Sequence, residues 1–420
     1  MKLILGLLFV LVVAQDDSDP KPATLTAEEA EKTLTAAEVK KHIAFFASDE
    51  LGGRDTPSEG LTKAAEYIAA EFKRLGLKGV GDEGGHIKSW DYRGTKVPNC
   101  AGLLEGSDDK LKEEVVVIGG HMDHIGKQGR EVMNGADDNA SGSTGVLELA
   151  EAFASMKTRP RRSILFLTFS GEEKGLLGSA AYVKNPAVPL EKCVAMFNLD
   201  MVGRSKDDYL FIGGVGTSEP FPKMVEKAAD GLGLKIETHP GGLAPSDNTN
   251  FHQKGLPVLF FFTNVHADYH NADDVVDKIN AEGEAKILKL AFRIVRDTAD
   301  RDEKLPFTKN ASQALPKDFN ERMGERFGGG AAPARNRVQL GVQTDEVDEG
   351  VKITDLTEGG AAAKAGLKAG DIITKLGETK IADVTDLRAA LRKLKFGDTS
   401  KVSVLRDGKE ETVDVKFEKP

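Results

Sequence analysis

Short apolar runs alternate with amphipathic stretches along most of this protein. Four runs, Val115–Ile118, Ile164–Phe169, Val194–Leu199 and Val258–Phe262, are continuously apolar and read as strands buried on both faces. Around them, apolar residues recur at helical spacing. Thr35-Ala-Ala-Glu38 is a capping box opening a helix with Val39, Ile43, Ala44, Phe46 and Ala47 on its apolar side. A second helix, Lys63 to Leu75, carries Ala64, Tyr67, Ile68 and Phe72 and stops at Gly76. Helices from Ser143 to Met156 and from Ala281 to Ala299 repeat the stripe. Strands alternating with helices predict an α/β fold: a doubly wound mixed sheet sandwiched by helices.

The pattern changes twice. Periodicity is lost from Phe307 to Arg335, where Gly328-Gly-Gly-Ala-Ala-Pro333 marks a flexible linker. From Arg337 to Pro420 come short strands with one helix, in order VQLGVQ, GVKITDL, DIITKLG, Val384–Leu394, KVSVLR and EETVDVKF, which predict a small α+β domain. At the other end, Lys2, the apolar run Leu3 to Val13 and the small-residue site Val12-Val13-Ala14 form an export signal, too short to span a bilayer. The expected division is a signal peptide at 1–14, a polar tail at 15–34, the α/β domain at 35–305, a linker at 306–335 and the small domain at 336–420. The mature protein is expected to be secreted or periplasmic.

Composition narrows the partners. A formal net charge of −10 argues against nucleic acid or an anionic membrane. Cys100 and Cys193 are too few for a thiolate metal site and leave open one disulfide or two buried thiols.

The candidate chemistry follows the apolar runs. His121 and Asp123 come after the first, Glu172 and Glu173 after the second, Asp200 after the third, and His266-Ala-Asp-Tyr-His270 after the fourth. Open α/β sheets bind ligands outside the carboxyl ends of their strands, so four loops would converge at one edge. Gly119 to Gly142 adds Asp137 and Asp138 in glycine-rich sequence that lets backbone approach a ligand closely. Imidazoles with carboxylates suit zinc, and three carboxylates, one hydroxide and two neutral imidazoles would balance two divalent cations. Adjacent glutamates cannot point the same way, so one of Glu172 and Glu173 can bind metal while the other acts as general base.

Five ordered motifs, GGHMDHIG, NGADDNASG, TFSGEEKGLLGS, NLDMVGR and DYHNADD, resemble the co-catalytic zinc aminopeptidases, a superfamily that includes bacterial leucyl aminopeptidases, glutamate carboxypeptidases and, more distantly, glutaminyl cyclases. The resemblance covers residues 35 to 300 and implies cleavage of the peptide bond next to a free amino terminus. It implies that His121 and Asp200 hold one zinc, Glu173 and His270 the other, and that Asp137 bridges them. Glu172 would be the base, with Asp123 orienting His121. Asp138 and Asn139 would shape the loop, and His124 and His266 would have no ligand role. Cobalt or manganese could replace zinc. No tyrosine stands near Pro245-Ser246-Asp247, where some members place their carbonyl-polarising group, so Asn248, His266 or the second zinc would take that part.

The C-terminal segment resembles a PDZ domain. Gln339, Leu340, Gly341 and Val342 look like its carboxylate-binding loop, which implies capture of the free carboxyl end of a peptide. Two alternatives to peptide hydrolysis remain: glutaminyl cyclisation on the same fold, and a non-catalytic, receptor-like binding ectodomain.

Overall fold

The computed structural model describes residues 23–308, 338, 340–347, 350–357 and 359–418. The expected signal peptide, the linker core and Gln339 lie outside the described residues. The N-terminal stretch expected as a polar tail is partly helical. Thr26 and Glu29 form a capping box that opens α1 (Ala27–Thr33), which buries Ala30. Helix α2 (Ala36–Phe46) follows, with Thr35 accepting from the Glu38 N–H, and then α3 (Glu59–Arg74).

The first strands are β1 (Lys78–Gly79) and the hairpin β2 (Ile87–Tyr92) and β3 (Thr95–Leu104). Strand β4 (Val115–His121) leads into a small ribbon, β5 (Lys127–Gln128) and β6 (Glu131–Val132), and then into α4 (Gly142–Ser155). Next come β7 (Ser163–Phe169), α5 (Leu177–Lys184), β8 (Cys193–Leu199), β9 (Tyr209–Gly213), α6 (Phe221–Ala229), β10 (Lys235–His239), α7 (Asn248–Gln253), β11 (Val258–Phe262) and α8 (Ala281–Asp300). The sheet order is β1-β3-β7-β4-β8-β11-β9-β10, with β2 paired to β3.

The four apolar runs are the sheet's centre, β7-β4-β8-β11, and all pair in parallel. Antiparallel β3 and β9 flank them. Because side chains alternate across a strand, Val116 and Ile118 pack with α1–α4, α6 and α8, whereas Val115 and Val117 pack with α5 and α7. Helices thus cover both faces, and the parallel centre sends every carboxyl end to one edge. Cys100 and Cys193 are buried free thiols.

In the second region, β12 (Val342–Val347), β13 (Gly350–Leu356), β14 (Ile372–Leu376), β16 (Thr399–Arg406) and β17 (Lys409–Lys416) form a sheet in that order, with the short β15 (Thr379–Lys380) on β14. The strand expected from VQLGVQ begins only at Val342, because Gly341 before it turns in the left-handed region at φ 76°.

A polar cluster sits inside the helical layer. Glu148 on α4 is buried 3.4 Å from His42 Nε2, and His42 Nδ1 lies 2.8 Å from the Tyr67 hydroxyl. Burial pushes Glu148 up to about 8 and His42 down, so both are neutral at pH 7. A raised carboxyl stabilises fully below its ordinary range and loses that contribution as pH rises through about 8. Glu148→Gln removes the titration. Chemical denaturation of both proteins from pH 5 to 9 should show wild type losing ground to the variant, by on the order of a few kcal/mol at the alkaline end. A difference that stays flat with pH would show that Glu148 does not titrate there.

Candidate active site

The parallel strands deliver His121 at the end of β4, Asp200 just past β8, and the Glu172-Glu173 and His266–His270 loops past β7 and β11. These residues meet. His121 Nε2 lies 3.5 Å from Asp200 Oδ1, 3.5 Å from Asp138 Oδ1 and 4.0 Å from Glu172 Oε2. His270 Nε2 lies 3.0 Å from Asp138 Oδ2 and 3.1 Å from Glu173 Oε1. Asp138 therefore turns one carboxylate oxygen toward each histidine.

The place between the two histidines expected for Asp137 is occupied by Asp138. Asp137 Oδ1 accepts from the Gly203 N–H at 2.7 Å and from Ser141 Oγ at 3.2 Å, while its Oδ2 faces His266 Nε2 at 3.2 Å. The cause is local backbone. Asp138 leaves helical geometry (φ −106°, ψ 91°), so the two neighbouring side chains point apart. Asp274 holds the segment by accepting from the N–H groups of both Asp137 and Asp138. Asn139, fully buried, donates to the Leu199 carbonyl and accepts from the N–H groups of Gly142 and Met201.

Asp123 is tied to the site in two directions. Its carboxylate lies 3.6 Å from His121 Nδ1, whose nearer partner is the Asp123 carbonyl at 3.1 Å. It also accepts from the Glu172 N–H at 3.2 Å and from Thr56 Oγ1 at 3.1 Å. Thr56 Oγ1 in turn accepts from the Gly171 N–H, which fixes the start of the glutamate loop. Behind this, the buried Arg54 guanidinium donates to the carbonyls of Phe46, Met122, Asn134 and Gly135, clamping the His121 and Asp138 loops together. Burial lowers Arg54 to about 10, against the pull of Asp123 and Asp138.

The adjacent glutamates occupy opposite environments. Burial, reinforced by Glu173 and Asp200, holds Glu172 well above the usual carboxylate range. Burial also opposes ionisation of Glu173, but the imidazoles of His124 and His270 outweigh it and hold Glu173 well below that range. The two neighbouring carboxyls are thus driven in opposite directions by their surroundings.

Three groups near the site carry no chemical role in the sequence reading. Tyr269 lines the cleft beside His121, Asp138, Glu172 and Asp200, its ring stacked on His270 at 3.8 Å. Its signal was present, one residue before a named ligand candidate. Asp247, buried against Ser179, is raised to about 7 by burial. His124 lies 3.0 Å from Glu173 Oε1, a contact no spacing rule would have found. The expected carbonyl-polarising candidates point elsewhere: Asn248 donates to the Gly242 carbonyl, and His266 faces Asp137.

The donor set fits divalent cations. His121, Glu172 and Asp200 form one group and His124, Asp138, Glu173 and His270 another, each with its donor atoms within 4.8 Å of one another. Asp138 Oδ2, Glu173 Oε1 and His270 Nε2 are buried and make no hydrogen bond. Buried polar atoms are rarely left so, and a cation would satisfy all three.

Comparison with known proteins agrees. Residues 99–295 match the model of Peptidase family M28, and residues 338–417 match the PDZ domain. A probable leucine aminopeptidase of Arthroderma otae is 30% identical over 276 residues, 62% of this chain and 74% of its own length. Leupeptin-inactivating enzyme 1 of Streptomyces exfoliatus is 27% identical over 252 residues, 59% of this chain and 53% of its own, so the chain spans about half of that relative. The LapA aminopeptidase structure of Legionella pneumophila superposes with a TM-score of 0.55 at 19% identity, covering 72% of this chain and 81% of that one, a likeness of fold. The protein belongs to peptidase family M28, the zinc aminopeptidase family, and carries a C-terminal PDZ domain.

Proposed function

We propose that this protein is an exported two-zinc aminopeptidase that removes the N-terminal residue from peptides. The observation that carries the reading is Asp138, with one carboxylate oxygen on the His121 side and one on the His270 side. His121 and Asp200 would hold one zinc, Glu173 and His270 the other, and Asp138 would join them. Zinc bound there would supply Lewis acidity toward the scissile carbonyl and make the attacking water more acidic. The protein's own residues do the rest. Glu172, beside His121 but outside the Glu173–His270 pair, takes the proton from water and passes it to the departing amine. Asp123 keeps both His121 and the Glu172 backbone in register. Tyr269, at the cleft wall, would polarise the carbonyl. Met201, Phe260, Phe262 and Val265 line the same cleft and suit an apolar N-terminal side chain, in keeping with the leucine aminopeptidase relative. The second donor group, for which a one-ion cyclisation has no use, supports hydrolysis over glutaminyl cyclisation. The apolar leader at the N-terminus supports export.

Chelation should abolish hydrolysis of leucyl amides and added zinc should restore it, with cobalt or manganese as possible substitutes. Elemental analysis separates the two aspartates: Asp138→Asn should lose both ions at limiting zinc, whereas Asp137→Asn should retain both. Retention by the first and loss by the second would return the bridge to Asp137.

The glutamates are separated by turnover against occupancy. Glu172→Gln should lower kcat by roughly 10²–10⁴-fold with metal content unchanged. Glu173→Gln should lose metal and recover part of its activity in excess zinc. The reverse pattern would exchange their roles.

At the PDZ domain, β12 ends the sheet among the described residues, an edge where a strand could add, and Leu340 and Gly341 before it would form the carboxylate loop. A panel of C-terminal peptides should contain binders that lose affinity when their carboxylate is amidated. Equal binding by acid and amide forms would exclude this mode.

A further inference from the structure

His124 is a buried histidine without an assigned task. It is 0% exposed, and neither ring nitrogen has a hydrogen-bond partner. An imidazole left so loses its hydration without replacement, because a buried polar group without a partner pays its full desolvation penalty. Yet the ring is held firmly. The His124 N–H donates to the Arg54 carbonyl at 3.2 Å, and the Arg54 guanidinium ties down the carbonyls of Met122 and Gly135 on either side. Gly135 sits at φ +57°, and a Cβ there would come within 2.6 Å of His124 Cγ and Cδ2. Glycine at 135 thus serves the ring as well as the turn.

The ring is aimed at the second donor group. His124 Nδ1 is 3.0 Å from Glu173 Oε1 and 3.7 Å from Asp138 Oδ2, the two oxygens that His270 Nε2 also approaches. The two imidazoles meet edge to face, with ring centres 5.5 Å apart. Four buried atoms, none hydrogen-bonded, converge from four segments of the polypeptide. Two imidazoles with two carboxylates make the donor number of a closed, tetrahedral zinc site, whereas the His121 side has His121, Asp200 and the shared Asp138.

We propose that His124 is a metal ligand, the fourth protein donor on the Glu173–His270 side, so that the two ions are held unequally. The inference rests on the two-zinc reading. The ion on the His124 side is the tightly retained one, and the ion on the His121 side, with three protein donors, exchanges and keeps room for substrate.

The test is zinc affinity, read by competition with a chromophoric chelator, together with X-ray absorption at the zinc edge of the wild-type holoenzyme. The absorption spectrum should fit three imidazoles per two zinc ions. In His124→Ala and His124→Gln the tighter dissociation constant should rise at least tenfold while the weaker one changes little. Two imidazoles per two zinc ions would overturn the assignment without recourse to any variant. So would unchanged constants in variants whose circular dichroism matches wild type. A wild-type protein that binds a single zinc at saturation would defeat the two-ion reading instead, and His124 would then be judged by whether that one constant responds to its replacement.

Discussion

Carboxylate charge packed into a buried cleft is the constraint on which the rest of this structure depends. Asp123, Asp138, Glu172, Glu173 and Asp200 crowd one edge of the sheet, with the Asp137–Asp274 pair directly behind. Taking a carboxylate out of water is expensive unless opposite charge and hydrogen bonds replace the lost solvation. The fold supplies both. His121, His124, His266 and His270 face these carboxylates at 3.0 to 3.6 Å. The N–H groups of Asp137, Asp138, Glu172 and Gly203 point at carboxylate oxygens. Arg54 adds a buried cation that spends its hydrogen bonds on loop carbonyls, so it lends charge and rigidity together. Among the buried oxygens and nitrogens still without hydrogen-bond partners, His124 Nδ1, Asp138 Oδ2, Glu173 Oε1 and His270 Nε2 converge where zinc would sit.

The same economy runs through the two pairs of adjacent acids. Asp137 and Asp138 diverge because Asp138 leaves helical geometry, and the pair then serves two purposes: one carboxylate receives the Gly203 backbone and the other faces the cleft. Glu172 and Glu173 diverge on a tight loop whose first residues are fixed by Asn99, Thr56 and Asp123. One meets two imidazoles and stays ionised; the other meets burial and further carboxylates and holds its proton more readily. The different surroundings of two adjacent carboxyls are therefore a consequence of where the backbone turns.

Much of this was legible in the sequence. The central strands are apolar on both faces, so their runs stood out, and the parallel fold then required the loops after them to meet. His121, Glu172, Glu173, Asp200 and His270 come together for that reason. The choice between Asp137 and Asp138 was not legible, because adjacency in sequence carries no direction and the decision lies in one residue's φ and ψ. The place of His124 beside Glu173 was not legible, because it depends on the space left at Gly135 and on a contact 49 residues away in sequence. The place of Tyr269 in the cleft wall was not legible, because it depends on how its ring stacks on His270, which adjacency in sequence does not dictate. The short helix α1 had a readable signal, the Thr26–Glu29 capping box, overlooked because the surrounding residues are polar.

The central claim, a pair of cations joined by Asp138, is tested most directly by anomalous diffraction at the zinc edge from crystals of the zinc-loaded protein. The account predicts two peaks roughly 3.5–4 Å apart, one on each side of the Asp138 carboxylate, with His121 and Asp200 on one and Glu173 and His270 on the other. A single peak, or two peaks flanking Asp137 while Asp138 faces away, would contradict it.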